Sequence, residues 1–149
     1  MNNFVETNLN IELDESKNLS DRTIYKIGDL AREFDVTLRT LRFYEDRGLI
    51  KPARQGTTRL YSSEDRERLR VALFCKRIGL TLSDIRKVLE LHEINDDVPL
   101  AETKIRDVYA SQLKTLEQQQ IDTRATIADL QRKIENMADT EVVGSKLPN

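Results

Sequence analysis

Thr37-Leu38-Arg39-Thr40-Leu41-Arg42-Phe43-Tyr44-Glu45, continued by Asp46-Arg47-Gly48, is the stretch that decides the fold of this chain. Thr37 carries a hydroxyl that can accept a backbone hydrogen bond as N-cap, and Gly48 can take the left-handed conformation that closes a helix. The spacing therefore predicts a helix from Leu38 to about Arg47, with Leu38 and Leu41 turned inward and Arg39 and Arg42 sharing the opposite face. Just upstream, Ile27, Leu30, Ala31 and Phe34 fall at i, i+3, i+4 and i+7, the inward stripe of another short helix. Asp35-Val36 interrupts it. Two short helices so tightly joined read as a helix-turn-helix.

Working outward, Pro52, Gly56, Thr57 and Thr58 break helical periodicity. Leu49-Ile50 and Leu60-Tyr61 are expected to form two short strands, a hairpin or wing whose basic residues are Lys51, Arg54 and Arg59. Ser62, three residues before Asp65, opens a third helix running to Gly79. Thr81, three before Asp84, opens a fourth, with Leu82, Ile85, Val88, Leu89 and His92 expected on its buried side. Pro99 suits the first turn of a last helix, from about Leu100 to Met137. Steps of four and three from Tyr109 reach Leu113, Leu116, Gln120, Thr123, Ile127, Leu130, Ile134 and Met137. Seven of these nine are apolar, and Gln120 with Thr123 form a polar break in mid-seam. Such a seam needs a second helix, the chain has no other of that length, and a homodimer through a coiled coil follows.

Charge is unevenly placed. The 149 residues carry a net −2, yet 22–77 hold 14 Lys and Arg against 8 Asp and Glu, while 1–21 and 78–149 are each at −4. A basic module between acidic flanks suits a polyanionic partner. Cys75 is the sole cysteine, which excludes an intrachain disulfide and fits a reducing compartment. No apolar run approaches a membrane span and the N-terminus lacks a secretory pattern, so a soluble cytoplasmic protein is expected, with no membrane partner. No nucleophile and base pair, phosphate-binding glycine loop or metal shell is recognisable, and an enzyme is not expected.

An arginine fork can bond O6 and N7 of guanine together, so Arg39 and Arg42 on one exposed face can read bases in the major groove of DNA. A solvated basic face with ion pairs to Glu45 and Asp46 is, from the arginines alone, an equal reading. Tyr44, Arg59 and Tyr61 can bond phosphate, though both tyrosines also fit the edge of a core. Thr37, Thr40 and Arg54 complete the candidate DNA-binding set. Cys75, in an apolar helical stretch, is expected in the core, and His92 to pack or cap.

The run Ile27-Gly28-Asp29-Leu30-Ala31, the string from Thr37 to Glu45, Gly48-Leu49, Arg59-Leu60-Tyr61-Ser62, Arg77-Ile78-Gly79-Leu80 and Leu82-Ser83-Asp84-Ile85 occur in one order. Together they resemble the MerR family of transcription regulators. The resemblance implies a mainly α fold: a winged helix-turn-helix head, whose second helix enters the major groove, and a long C-terminal helix forming an antiparallel dimerisation coil. It implies base or nearby phosphate contacts for Arg39 and Arg42, and backbone contacts for Tyr44, Arg59 and Tyr61. It further implies promoter DNA, a second copy and RNA polymerase as partners. Residues 1–23 are expected to be a disordered acidic tail, 24–93 the DNA-binding domain, 99–138 the coil and 139–149 a flexible tail. The metal-sensing branches place cysteines at the start of the dimer helix and after it, and Val98 to Thr103 and Ala138 to Asn149 contain neither Cys nor His. Neither a metal nor a cofactor is expected. A small organic effector held between coil and head, or none, are the two alternatives left. A DNA-architecture protein and a coiled-coil adaptor are the competing functions.

Overall fold

The computed structural model describes residues 23–94 and 96–144. In chain order these form β1 (Ile24–Lys26), α1 (Ile27–Glu33), α2 (Leu38–Asp46), β2 (Ala53–Gln55), β3 (Thr58–Ser62), α3 (Ser63–Arg77), α4 (Leu82–His92) and α5 (Val98–Gly144). The expected tail over 1–23 lies outside the described residues apart from Thr23.

Local capping sets the helix starts. The Thr37 hydroxyl accepts from the Thr40 amide at 3.1 Å, and the Thr81 hydroxyl from the Asp84 amide at 3.2 Å. Ser62 and Asp65 cap reciprocally, because the Asp65 carboxylate accepts in return from the Ser62 amide at 3.0 Å. Asp97 was not singled out in the sequence, yet its carboxylate accepts from the Leu100 amide at 3.1 Å at the start of α5. Gly48 takes a φ of +67° just after α2, where a side chain would be strained, and the chain turns there toward the wing.

The sheet is antiparallel in the order β1-β3-β2, with Tyr25 opposite Tyr61 and Arg54 opposite Arg59. Two expectations change here. The wing's first strand is Ala53–Gln55 rather than Leu49-Ile50, whose side chains are buried as irregular backbone beneath α2. The wing's second strand, β3, pairs on its other edge with the unforeseen β1.

Leu30, Leu41, Leu69, Cys75, Ile85 and Val88 form the centre of the core and are fully buried. Each such aliphatic side chain removed from water stabilises by roughly 1.5–3 kcal/mol. Leu38, expected to face α1, is instead 41% exposed, because the helix begins there and its first turn projects past the core. His92, expected on the buried side of α4, is exposed at the last turn, with Ile85, Val88 and Leu89 filling the inward face.

The first turns of α5 pack Ala101 and Ile105 against the head. Gln112 then donates to the carbonyl of Ile78 at 2.7 Å, satisfying a free carbonyl at the end of α3. Beyond that point α5 leaves the globule. Its 47 residues span about 70 Å at about 1.5 Å each, and it continues through Gly144 rather than ending near residue 138.

Candidate nucleic-acid interface

One turn of α-helix advances 100° per residue, so Leu41 and Tyr44 share the inward side of α2 while Arg39 points the opposite way, with Arg42 and Phe43 on its two flanks. Leu41 and Tyr44 are buried, and Arg39, Arg42 and Phe43 are exposed. Thr37 is exposed at the cap, hydroxyl to hydroxyl with Thr40 at 3.0 Å. Neither Arg39 nor Arg42 has an ion-pair partner among the described residues.

Of the two acids that the ion-paired alternative would use, Glu45 is occupied elsewhere. Glu45 receives a hydrogen bond from Arg59 Nε at 2.5 Å on one oxygen and from Arg54 Nη2 at 2.8 Å on the other. This arrangement answers a local problem, since Arg54 and Arg59 stand directly opposite on paired strands and like charges in that position repel. Burial acts to raise the Glu45 pKa, but the bonds from Arg59 and Arg54 outweigh it and hold the carboxyl below its ordinary value. The recognition-type helix and the wing are thus joined by one carboxylate. Sequence alone showed that Glu45 was acidic and one turn beyond Arg42; the strand pairing that places both wing arginines beside it was not readable there.

Tyr44 and Tyr61 are interior residues in the free chain. The Tyr61 side chain is fully buried, and its hydroxyl has no hydrogen-bond partner among the described residues. Burial, with Glu45 adding to it and Arg59 opposing, pushes its pKa up to about 12, so it is a neutral phenol at any physiological pH. Arg54 and Arg59 remain at the surface, the first more open than the second.

Other arginines brace this surface from behind. Arg86 of α4 donates to the Arg47 carbonyl at 2.7 Å at the end of α2, and Arg68 of α3 to the Leu49 carbonyl at 3.0 Å. Arg66 grips Glu33 of α1 through Nε and Nη2. None of these was predicted. An arginine in a charged helix carries no local signal of which distant carbonyl it reaches.

Phe74, Ile78, Ile105, Tyr109, Leu113 and Leu116 line an open apolar groove of about 630 Å³ between α3 and α5. It runs into the seam on α5, where Leu113, Leu116, Ile127, Leu130, Ile134 and Met137 are exposed and Tyr109 is half-buried. Ile121, outside the expected register, is 60% exposed beside the polar Gln120. Cys75 is buried 3.8 Å from the Tyr109 hydroxyl, and burial raises its pKa, so it is a core thiol. Among the described residues no group of three or more His, Cys, Asp or Glu side chains is placed to hold a metal ion, and no helix is long and apolar enough to cross a membrane.

A helix-turn-helix with a basic outer face, a wing hinged to it and a projecting coil defines a winged helix-turn-helix DNA-binding protein. Comparison with known proteins makes the class specific. The model of the MerR HTH family regulatory proteins matches residues 25–91, and that of the MerR DNA-binding region matches 66–133. The chain is 33% identical to the mercuric resistance operon regulatory protein of Bacillus cereus, over 78% of this chain and 77% of that one. It is 28% identical to a ZntR homologue of Haemophilus influenzae, described as an HTH-type transcriptional regulator, over 72% of this chain and 82% of that one. The chain belongs to the MerR family and is a DNA-binding transcription regulator.

Solved structures agree on the architecture. HiNmlR, a MerR family regulator lacking the sensor domain and bound to promoter DNA, superposes with a TM-score of 0.62 at 23% identity, covering 84% of this chain and 97% of that one. The N-terminal part of MtaN, the Bacillus subtilis multidrug transporter activator, gives 0.55 at 28% identity, covering 74% and 97%.

Proposed function

We propose that the protein acts in the cytoplasm as a homodimer on an inverted repeat in promoter DNA, and regulates RNA polymerase there by distorting the duplex. The observation that carries this reading is the joint exposure of two surfaces: Arg39 and Arg42 on α2, without an ion-pair partner among the described residues, and the apolar seam of α5. The first suits a polyanion. The second leaves six large apolar side chains in water unless another helix covers them, and a second copy supplies the same seam. The groove beside Phe74 and Tyr109 extends that apolar surface onto the head, and a small organic effector lodged there would sit between coil and head.

On the DNA, Arg39 and Arg42 take the base-reading or adjacent phosphate role, with Thr37 and Thr40 at the start of the same helix. Arg54, Arg59, Tyr44 and Tyr61 take the backbone role, the tyrosines only after α2 and the wing separate enough to uncover them. Two heads on a twofold axis fix the spacing of the half-sites. Bending and untwisting 20 to 30 base pairs costs on the order of 1 to 6 kcal/mol, which phosphate contacts from two wings can offset.

The reading is tested on the promoter footprinted by the protein. Removing one or two base pairs from the centre of the inverted repeat should make the promoter fire strongly without the protein. A shortened promoter that stays silent and protein-dependent would overturn the distortion mechanism in favour of ordinary recruitment or simple repression.

A further inference from the structure

We infer that Phe43 is a specificity-determining residue that reads the C5-methyl group of a thymine in the major groove. The inference rests on α2 being the helix that enters that groove. Phe43 is 40% exposed on the outward side of α2, beside Arg39 and next to Arg42. Arg47, one turn on, places its guanidinium 5.1 Å from the centre of the ring, and the Tyr44 ring lies 5.9 Å away at 58°. Arg47 lies over the ring and Tyr44 beside it, and the two together leave Phe43 partly open to solvent. Three arginines and Asp46 share this outer side, and the net positive charge around the ring selects a polyanion rather than an apolar protein surface as what covers it.

Within that polyanion the chemistry narrows to one group. Base edges in the major groove present acceptors and amino donors, and the thymine methyl is their distinctive apolar projection. An aromatic ring flanked by the Arg47 guanidinium and the Tyr44 ring gains by covering that methyl, and gains less from a bare carbonyl or amino group. Arg39 and Arg42 then account for guanines, and Phe43 for a thymine close by on the same groove floor.

The test uses the full chain and a duplex that it selects from a random-sequence pool. Each thymine is replaced singly by deoxyuridine, which deletes only the methyl group, and binding is measured by fluorescence anisotropy. At one position in each half-site the wild-type protein should bind about fourfold more weakly, the expected effect of losing one buried methyl. At that position Phe43→Ala should bind the thymine and deoxyuridine duplexes equally, and Phe43→Leu should keep a reduced preference. Equal binding of every substituted duplex by the wild-type chain would overturn the inference, as would a Phe43→Ala protein that keeps the full preference. A wild-type chain that enriches no sequence, or an Arg39→Ala protein with the same selected sequence as wild type, would instead overturn α2 as the reading helix, and the inference with it.

Discussion

Tyr61 illustrates how one atom can set stability against function. Its hydroxyl is buried without a partner, and an unsatisfied buried polar group costs about 1–3 kcal/mol relative to a satisfied one. Tyr61→Phe should therefore leave the free protein as stable or raise its thermal midpoint by a few degrees. If the hydroxyl bonds a phosphate in the complex, the same change should weaken DNA binding by a similar factor on operator and random duplex. Thermal unfolding and a binding titration on the two duplexes check both halves. Loss of stability together with unchanged binding would make Tyr61 purely a core residue. The sequence placed this tyrosine as either a phosphate ligand or a core edge, and only the packing of β3 against β1 and α3 shows it to be enclosed. A side chain's burial depends on neighbours far away along the chain.

Between elements, the decisive link is the Glu45 carboxylate that ties α2 to the wing. Glu45→Gln should weaken that tie and lower the thermal midpoint at neutral pH. Because the folded-state pKa of Glu45 is depressed, its stabilising effect is present above the ordinary value of 4.5 and is lost as pH falls through the lower folded value. The gap in midpoint between wild type and Glu45→Gln should consequently close on acidification below that range; a gap that widens would contradict the link. The same variant should bind random duplex several-fold more tightly with a steeper salt dependence, since Arg54 and Arg59 are released toward phosphates. Elements whose signals are local were legible beforehand. Thr37, Ser62 and Thr81 each bond an amide three residues on, and Gly48 closes α2 by its own conformation, so four boundaries could be read from short strings. The sheet could not. Each of its strands has five residues or fewer, too short for an alternating pattern, and β1 pairs with a strand 36 positions away, Tyr25 opposite Tyr61, with α1, α2 and β2 lying between them in the chain. Leu38 and His92 were misplaced for a related reason, since helical periodicity says which way a residue points but not how far along the helix its covering neighbour extends.

At the scale of the whole molecule, α5 leaves Ile127, Leu130, Ile134 and Met137 more than half exposed in a single chain. If a second copy covers them, the thermal midpoint should rise with protein concentration, as for any fold stabilised by association. Placing Lys at both Ile127 and Leu130 should abolish that dependence and halve the mass seen in sedimentation, because charged groups in the seam are costly to desolvate. An unchanged dimer mass would remove this seam from the interface. The long helix α5 was readable from its periodicity, whereas its attachment to the head was not: Gln112 bonds Ile78 across 34 positions, and Gly79, at a φ of +88°, would bring a side chain against Gln112 at 3.2 Å. That attachment is a fulcrum. From Gln112 to Gly144 the helix projects about 48 Å, so a tilt of about 5° there sweeps its far end through about 4 Å. The rise between neighbouring base pairs is about 3.4 Å. In the proposed dimer, with the partner's head carried at that far end, a repacking small enough to disturb one amide and one carbonyl would be geared up to a full step along the duplex.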